Sequence, residues 1–353
     1  MNSADTDRSA RLRALHGLPS NAVEKWRGAS VLVAGVGALG CVAAELLARA
    51  GVGHLVLVDR DVVEWSNLPR QLLYSEADAL QSRPKATAAR ARLREIDSTT
   101  RIEAFDDQLD GESIHSYARG VHAVVDGLDN IETRHVVNEW CVDRHVPYFH
   151  AAAVGWEGRS LACLPGDDGA CFRCAFPDLP APGTLETCDT AGVFPPAVVR
   201  AATSATGECL KWLAGMETSV DRRLHSFDSM TGAASSIGPI GRDPRCPCCA
   251  LGERPFLKAG AGSRVSALCG RGAMQVLPAR GAPPVALEAL LPRLSLQGTF
   301  AMAAGDRIVG SIASSEPAAA TLELEIHRDG RVIVRGTTDE RRARVVAARY
   351  VGS

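Results

Sequence analysis

Two kinds of apolar spacing alternate along the first half of the chain. "SVLVAG" and "HLVLVDRD" are short continuous apolar runs of the kind expected for strands buried on both faces, and "CVAAELLARAG" between them repeats apolar residues at helical spacing. A glycine-rich turn joins the first run to the helix, so residues 30–60 read strand, turn, helix, strand, a βαβ unit. The pattern then predicts a helix over 84–96, a short strand near 101–105, another strand within "HAVVDGLDN" and a helix from Thr133 to Arg144. Alternation of this sort gives an α/β fold, a Rossmann-like, mostly parallel sheet with helices on both faces. The proline-rich stretch 176–196 interrupts it and reads as a long functional loop, followed by a helix at "AVVRAATSATGECLKWLAG".

Past residue 250 the pattern changes. "LGERPFLKAGAG", 251–262, reads as a linker between a first domain, 1–250, and a small α+β module, 263–353. The module contains a hairpin, "TLELEIHRDGRVIVRG", turning at Asp329-Gly330. Thr338 or Asp339 then caps a closing helix that runs to about Tyr350.

Composition narrows the function classes. A chain of 353 residues buries a sizeable core without staples, and a net charge of −2 gives no reason to expect nucleic acid as partner. The start, "MNSADTDRSARLRALHG", lacks the apolar run of a signal peptide, and no stretch reaches the roughly 20 apolar residues of a membrane span. A cytoplasmic protein is expected. Eleven cysteines would be many for a reducing compartment if they formed disulfides, but four of them make two C-x-x-C pairs, Cys171/Cys174 and Cys246/Cys249. Four thiolates at that spacing suit a closed tetrahedral zinc site of structural role, with a redox disulfide as the alternative. Cys248, inside the second pair, is an ambiguity. Cys41, Cys141, Cys163, Cys209 and Cys269 fall in apolar patterns and read as small core residues. His115, His122, His135 and His145 show no metal or triad spacing and read as surface or packing residues.

The glycine turn is Gly35-x-Gly37-x-x-Gly40. Its first glycine permits the sharp turn, the second lets backbone approach phosphate, and the third lets helix and strand pack closely. Asp59 ends the following strand, about twenty residues on, where a carboxylate accepts hydrogen bonds from ribose hydroxyls. To this point NAD and ATP fit equally well.

Discrimination comes from "DVVEWSNLPRQ", Lys85 and "DGLDNIETR", which together resemble the MoeB/ThiF family of adenylyltransferases, bacterial relatives of ubiquitin-activating enzymes. The resemblance covers residues 8 to 250. It implies ATP and magnesium as ligands, and adenylation of the C-terminal Gly-Gly carboxylate of a ThiS/MoaD-like ubiquitin-like sulfur carrier. Carried over by position, Asp59 would hold the ribose, Asp61 would also belong to the cofactor site, and Asn67, Arg70 and Gln71 would contact phosphates or order their loop. Lys85 would neutralise developing charge and Asp129 would hold magnesium. Asp126 would support it, Asn130 would order the turn, and Arg134 would form a structural ion pair. On residues alone Asp129 also reads as a helix N-cap ahead of Thr133.

The resemblance further implies a homodimer in which the Arg8/Arg11 segment reaches the neighbouring ATP site. Cys188, in the loop that crosses the carrier's tail, would serve thioester or persulfide chemistry; a thiol near a helix start can have a lowered pKa. The family's usual GxGGLG is GVGALG here, placing Ala38 at the fourth position, where a methyl group is expected to crowd the phosphate side only slightly. The C-terminal module carries no rhodanese-like cysteine loop; it would receive a carrier or a sulfurtransferase, or stabilise the dimer. Three rival readings stand beside this one: adenylation of a peptide or small-molecule carboxylate, an NAD-dependent oxidoreductase, and a zinc-clamped scaffold without catalysis.

Overall fold

The computed structural model describes residues 8–166, 169–177, 191–258, 264–268, 273–278, 282–303, 305–312 and 321–351. Strand β1 (Ser30–Ala34) is buried throughout and lies parallel between β2 (His54–Val58) and β4 (Ala123–Asp126). Outside β2 runs β3 (Arg101–Phe105), and beside β4 runs β5 (Tyr148–Val154), both again parallel. Three antiparallel strands complete the sheet: β6 (Glu157–Cys163), β7 (Leu224–Asp228) and β8 (Ala234–Ile237), in the order β3-β2-β1-β4-β5-β6-β7-β8.

Side chains alternate across the sheet as strand geometry requires. From β1, Val31 and Val33 enter one core with the helices Ala38–Ala50, Lys85–Ile96 and Pro195–Leu213, through Leu47, Leu93 and Ala201 among others. Leu32 and Ala34 enter the opposite core with helix Ile131–Arg144, through Val136, Val137 and Trp140. Because the chain leaves β1 for β2 on one side and returns to β4 on the other, a crevice opens beyond the carboxyl ends of β1 and β4. The site is built there.

Residues 253–258, inside the stretch expected to be a linker, are docked on the first sheet's lower layer. Glu139 of helix Ile131–Arg144 accepts the backbone N–H groups of Phe256 (2.9 Å) and Leu257 (2.8 Å), and both side chains pack on the second core. The chain then forms a six-stranded antiparallel sheet from β9 (Arg264–Leu268), β10 (Ala273–Leu277), β11 (Gly298–Ala303), β12 (Arg307–Ile312), β13 (Leu322–His327) and β14 (Val332–Arg335), in the order β11-β12-β13-β14-β10-β9. Helices Leu287–Leu294 and Glu340–Val351 cover it, with Leu287, Leu290, Val346 and Ala347 packed among Ile308, Leu324, Ile326 and Val334. The β13–β14 hairpin turns through Gly330 at φ +86°. Asp339, rather than Thr338, caps the last helix, its Oδ1 accepting the N–H of Arg342 at 3.4 Å. Among the described residues no helix is long and apolar enough to cross a membrane.

Burial pushes the Glu139 carboxyl up to about 6, against the lowering effect of the two backbone donors. A raised folded pKa favours the folded state below the unfolded value and loses that advantage as pH rises through about 6. Thermal melts of wild type and Glu139→Gln from pH 4.5 to 7 should therefore diverge in favour of the Gln variant, by about 2 kcal/mol at the upper end. Parallel curves would show that the carboxyl is not buried in this way.

Candidate nucleotide site and thiolate clamp

The crevice is lined by three backbones in contact. Gly35, at φ +81°, turns the chain out of β1, and Gly37 is the N-cap of helix Ala38–Ala50 without a side-chain cap. The first N–H groups of that helix are therefore left for an external acceptor such as phosphate. A Cβ on Gly40 would lie 1.9 Å from the Gly35 carbonyl oxygen, and one on Gly127 would lie 2.4 Å from the same atom and 2.8 Å from Gly40 Cα. Gly127, in the turn after β4, was not singled out in the sequence; a glycine directly after a buried strand was the available signal. At Gly37 an added Cβ would meet only the Gly127 oxygen, at 3.9 Å. Ala38 is half-buried against the first core, so its methyl group is absorbed by packing.

Asp59 sits at the end of β2 with each carboxylate oxygen anchored once, Oδ2 by Val36 N–H (2.7 Å) and Oδ1 by Asp61 N–H (2.8 Å). Further lone pairs remain for ribose hydroxyls. Burial raises its carboxyl pKa to about 6, opposed chiefly by Lys85. Lys85 is buried and its Nζ lies 3.1 Å from Asp61 Oδ2. Burial works against its charge, but Asp61, Asp59 and Asp129 outweigh it and hold the ammonium above its ordinary range. One cation thus ties the two acids after β2 to the acid after β4. Tyr74, also missed in the sequence, donates its hydroxyl to the carbonyls of Val36 (2.6 Å) and Lys85 (3.2 Å), fixing the glycine turn to the start of helix Lys85–Ile96.

The loop that raised the ATP expectation is a 3-10 turn, Trp65–Asn67, closed by reciprocal bonds between Glu64 and Asn67. Asn67 is buried and its Oδ1 accepts Glu64 N–H at 3.0 Å, an ordering role. Arg70 is half-buried and its Nη1 bonds the Ser66 carbonyl at 2.6 Å. Gln71 is 4% exposed, and its Oε1 has no hydrogen-bond partner among the described residues. An orphaned buried amide oxygen is costly unless a ligand or water supplies a donor.

After β4 the roles separate. Asp126 is 1% exposed and both its oxygens carry protein contacts: Leu128 N–H (2.8 Å), Tyr148 hydroxyl (2.6 Å), His150 Nδ1 (2.6 Å) and Arg134 Nε (3.1 Å). Burial disfavours its charge, but Arg134, His150 and Tyr148 hold the carboxyl below the usual range. Its place is beneath the turn, where it supports the loop without facing a ligand. Arg134 also donates to the carbonyls of Leu128 and Ala151, the structural pairing expected of it. The N-cap of helix Ile131–Arg144 is Asn130, whose side chain accepts Thr133 N–H at 2.8 Å; Asp129 does not fill that position and is exposed beside it. Asn130 thus orders the start of the helix through its side-chain oxygen.

At the N-terminus Arg8 Nη1 pairs with Asp97 of its own chain at 2.8 Å, while Arg11 is exposed. Cys188 and most of the 176–196 loop lie outside the described residues, as does Cys269. Cys41, Cys141, Cys163 and Cys209 are buried core residues. His135 is buried between Phe172 and Phe256, a packing role.

The Sγ atoms of Cys171, Cys174, Cys246 and Cys249 lie within 4.8 Å of one another, with separations of 4.0, 3.7 and 3.4 Å between 171/174, 171/246 and 174/249. Four sulfurs about 2.3 Å from a central ion would stand about 3.8 Å apart, whereas a disulfide needs about 2.05 Å. The arrangement fits zinc and does not fit crosslinks. Cys248 is outside this set, its Sγ accepting from Asn138 Nδ2 at 3.3 Å. Asn138 also accepts Phe172 N–H at 2.8 Å, so one side chain joins both cysteine segments to helix Ile131–Arg144.

A glycine turn at the switch point of a largely parallel sheet, with a four-thiolate clamp behind it, defines a Rossmann-like protein of the nucleotide-binding class. Within that class the chain belongs to the ThiF family, whose family model matches residues 9–248. It is 34% identical over 348 residues to the "Sulfur carrier protein ThiS adenylyltransferase" of Bacillus subtilis, spanning 98% of this chain and 100% of the relative. It is 36% identical over 222 residues to the "SAMP-activating enzyme E1" of Haloferax volcanii, 63% of this chain and 80% of the relative. Among solved structures, E. coli MccB superposes with a TM-score of 0.61 at 22% identity over 70% of this chain and 73% of that one, a likeness of fold.

Gly127→Ala should cost at least about 2 kcal/mol in urea unfolding, because backbone on both sides blocks relaxation; a midpoint like that of wild type would refute the three-glycine contact. Elemental analysis of purified protein should find one zinc per chain, lost in Cys246→Ser with a Tm fall of several degrees but retained in Cys248→Ser. Zinc loss in Cys248→Ser would redefine the ligand set.

Proposed function

We propose that the protein is an ATP-dependent adenylyltransferase that activates the C-terminal carboxylate of a ubiquitin-like sulfur carrier ending in Gly-Gly. The observation that carries this reading is the buried Lys85 ammonium, 3.1 Å from Asp61 Oδ2 and electrostatically coupled to Asp59 and Asp129, beside a glycine turn whose helix start has no side-chain cap. A nicotinamide dinucleotide would use Asp59 but has no need of a buried lysine drawn toward three carboxylates. The end-to-end match with the Bacillus relative favours a protein carrier over a peptide or small-molecule acid.

In this reading the glycine turn and the first N–H groups of helix Ala38–Ala50 bind phosphate, and Asp59 and Asp61 lie at the ribose. A carrier carboxylate is already ionised at neutral pH, so no general base is required. Its oxygen forms a bond to the α-phosphorus as the bond from that phosphorus to the β-bridging oxygen breaks, and the electron pair leaves with pyrophosphate. Lys85 and Arg70 offset charge growing on the bridging and terminal oxygens. Asp129, exposed and unspent, would hold magnesium, which supplies Lewis-acid neutralisation of the triphosphate. The Cys171/Cys174/Cys246/Cys249 clamp would hold a structural zinc. Cys188 would receive the activated acyl group or act beside a separate sulfurtransferase. The protein works as a cytoplasmic homodimer in which Arg11 completes the neighbouring site; Arg8, paired with Asp97, anchors the segment that carries it.

Exchange of labelled pyrophosphate into ATP should depend on the carrier. Asp129→Ala and Arg70→Ala should each lower it by about a hundredfold or more, whereas Cys188→Ser should leave exchange intact and alter only later transfer. Exchange that proceeds equally well without any carrier would reject this reading in favour of a small-molecule acid.

A further inference from the structure

The last helix touches the nucleotide loop. Arg349, near the end of helix Glu340–Val351, places Nη1 3.4 Å from Glu64 Oε2, across 285 positions of sequence. Glu64 is no ordinary surface acid, since it opens the Trp65–Asn67 turn and is bonded reciprocally to Asn67. The same Oε2 accepts the Ser66 hydroxyl at 3.3 Å, and the Ser66 carbonyl in turn accepts Arg70 Nη1 at 2.6 Å. A continuous series of contacts therefore runs from the second sheet's closing helix to the guanidinium assigned to the triphosphate.

Charge points the same way. The segment from Asp59 to Glu64 brings three carboxylates to a crevice that must admit a polyanion, and the cations against it are Arg60, Lys85 and Arg349. Burial opposes the charge of Asp61, and Lys85, Arg60 and, at longer range, Arg349 more than offset it, holding its carboxyl below the ordinary value. Arg349 thus acts on two of the three acids from outside the first sheet.

We propose that Arg349 is a positioning residue for the nucleotide loop, so that the C-terminal module helps set how tightly the first domain holds Mg-ATP. This rests on the reading of the crevice as an ATP site. Arg349 and Glu64 are 28% and 31% exposed, and an ion pair so placed contributes little to overall stability. Its contribution is to the register of one loop, which a melting curve does not report and nucleotide affinity does.

Calorimetric titration of the full-length protein with a non-hydrolysable Mg-ATP analogue tests this. Arg349→Ala should weaken binding about three- to fivefold, Arg349→Lys should largely restore it, and Arg349→Ala combined with Glu64→Gln should be no weaker than the weaker single variant. In pyrophosphate exchange the KM for ATP should rise while kcat stays within twofold. Wild-type affinity in Arg349→Ala, full additivity with Glu64→Gln, or a fall in kcat with KM unchanged would overturn the proposal while leaving the nucleotide reading standing. Failure of the wild type to bind the analogue would overturn both.

Discussion

The structure depends on one close contact, the meeting of Gly35, Gly40 and Gly127 where β1, the following helix and β4 converge. No side chain fits between them: the Gly35 carbonyl occupies the space a Cβ on either partner would need. This is a steric constraint rather than an attraction, but it sets everything that follows. It lets helix Ala38–Ala50 start directly against the sheet, so its free N–H groups open into the crevice. It also brings the turn after β4 close enough for Asp129 to interact with Lys85, which otherwise belongs to the β2 side of the site.

Around that contact the polar groups fall into two tiers. The buried tier is Asp126 with Arg134, Tyr148 and His150, together with Tyr74 and Asn67; these have their bonds within the protein and hold loops in place. Breaking a buried charge network by removing one partner leaves the others unpaired, so such groups fix a single geometry at a stability risk. The second tier is Asp59, Lys85, Gln71, Arg70 and Asp129, the groups assigned to the nucleotide in the proposed reading. In the proposed chemistry the second tier acts and the first holds its loops in place.

The legible part of the fold was the part with strong periodicity. The βαβ unit, β3, and the helices at 85–96 and 195–213 came out within about two residues, because each had a continuous apolar run or an unbroken helical stripe. The far side of the sheet, β5 to β8, went unread: β5 is "YFHAAAV", where small alanines mimic helix, and β8 is exposed at every residue, so no buried pattern marks it. Site residues divided likewise. Cysteine spacing gave the clamp, whereas Gly127, Tyr74 and Asn138 act through contacts between segments separated in sequence, which no local pattern encodes. On residues alone the helix cap was read one position early, at Asp129 rather than Asn130, because both residue types serve as caps.

The clamp and the docked strap solve a problem of chain path. Between Cys174 and Cys246 the chain leaves the second core for the 176–196 loop, covers the opposite face with helix Pro195–Leu213, and adds β7 and β8 before returning. Loop closure over so long an excursion carries an entropic cost that grows with its length. Fixing both ends to one point, with Asn138 bonding each and Glu139 one residue later receiving the strap, makes a single helix turn the anchor of loop, sheet edge and C-terminal module alike. That helix begins at Asn130, immediately after Asp129. The helix thus joins the clamp to the turn that carries Asp129, whereas Arg349 meets the other loop at Glu64. The two walls of the site are thus held from separate places.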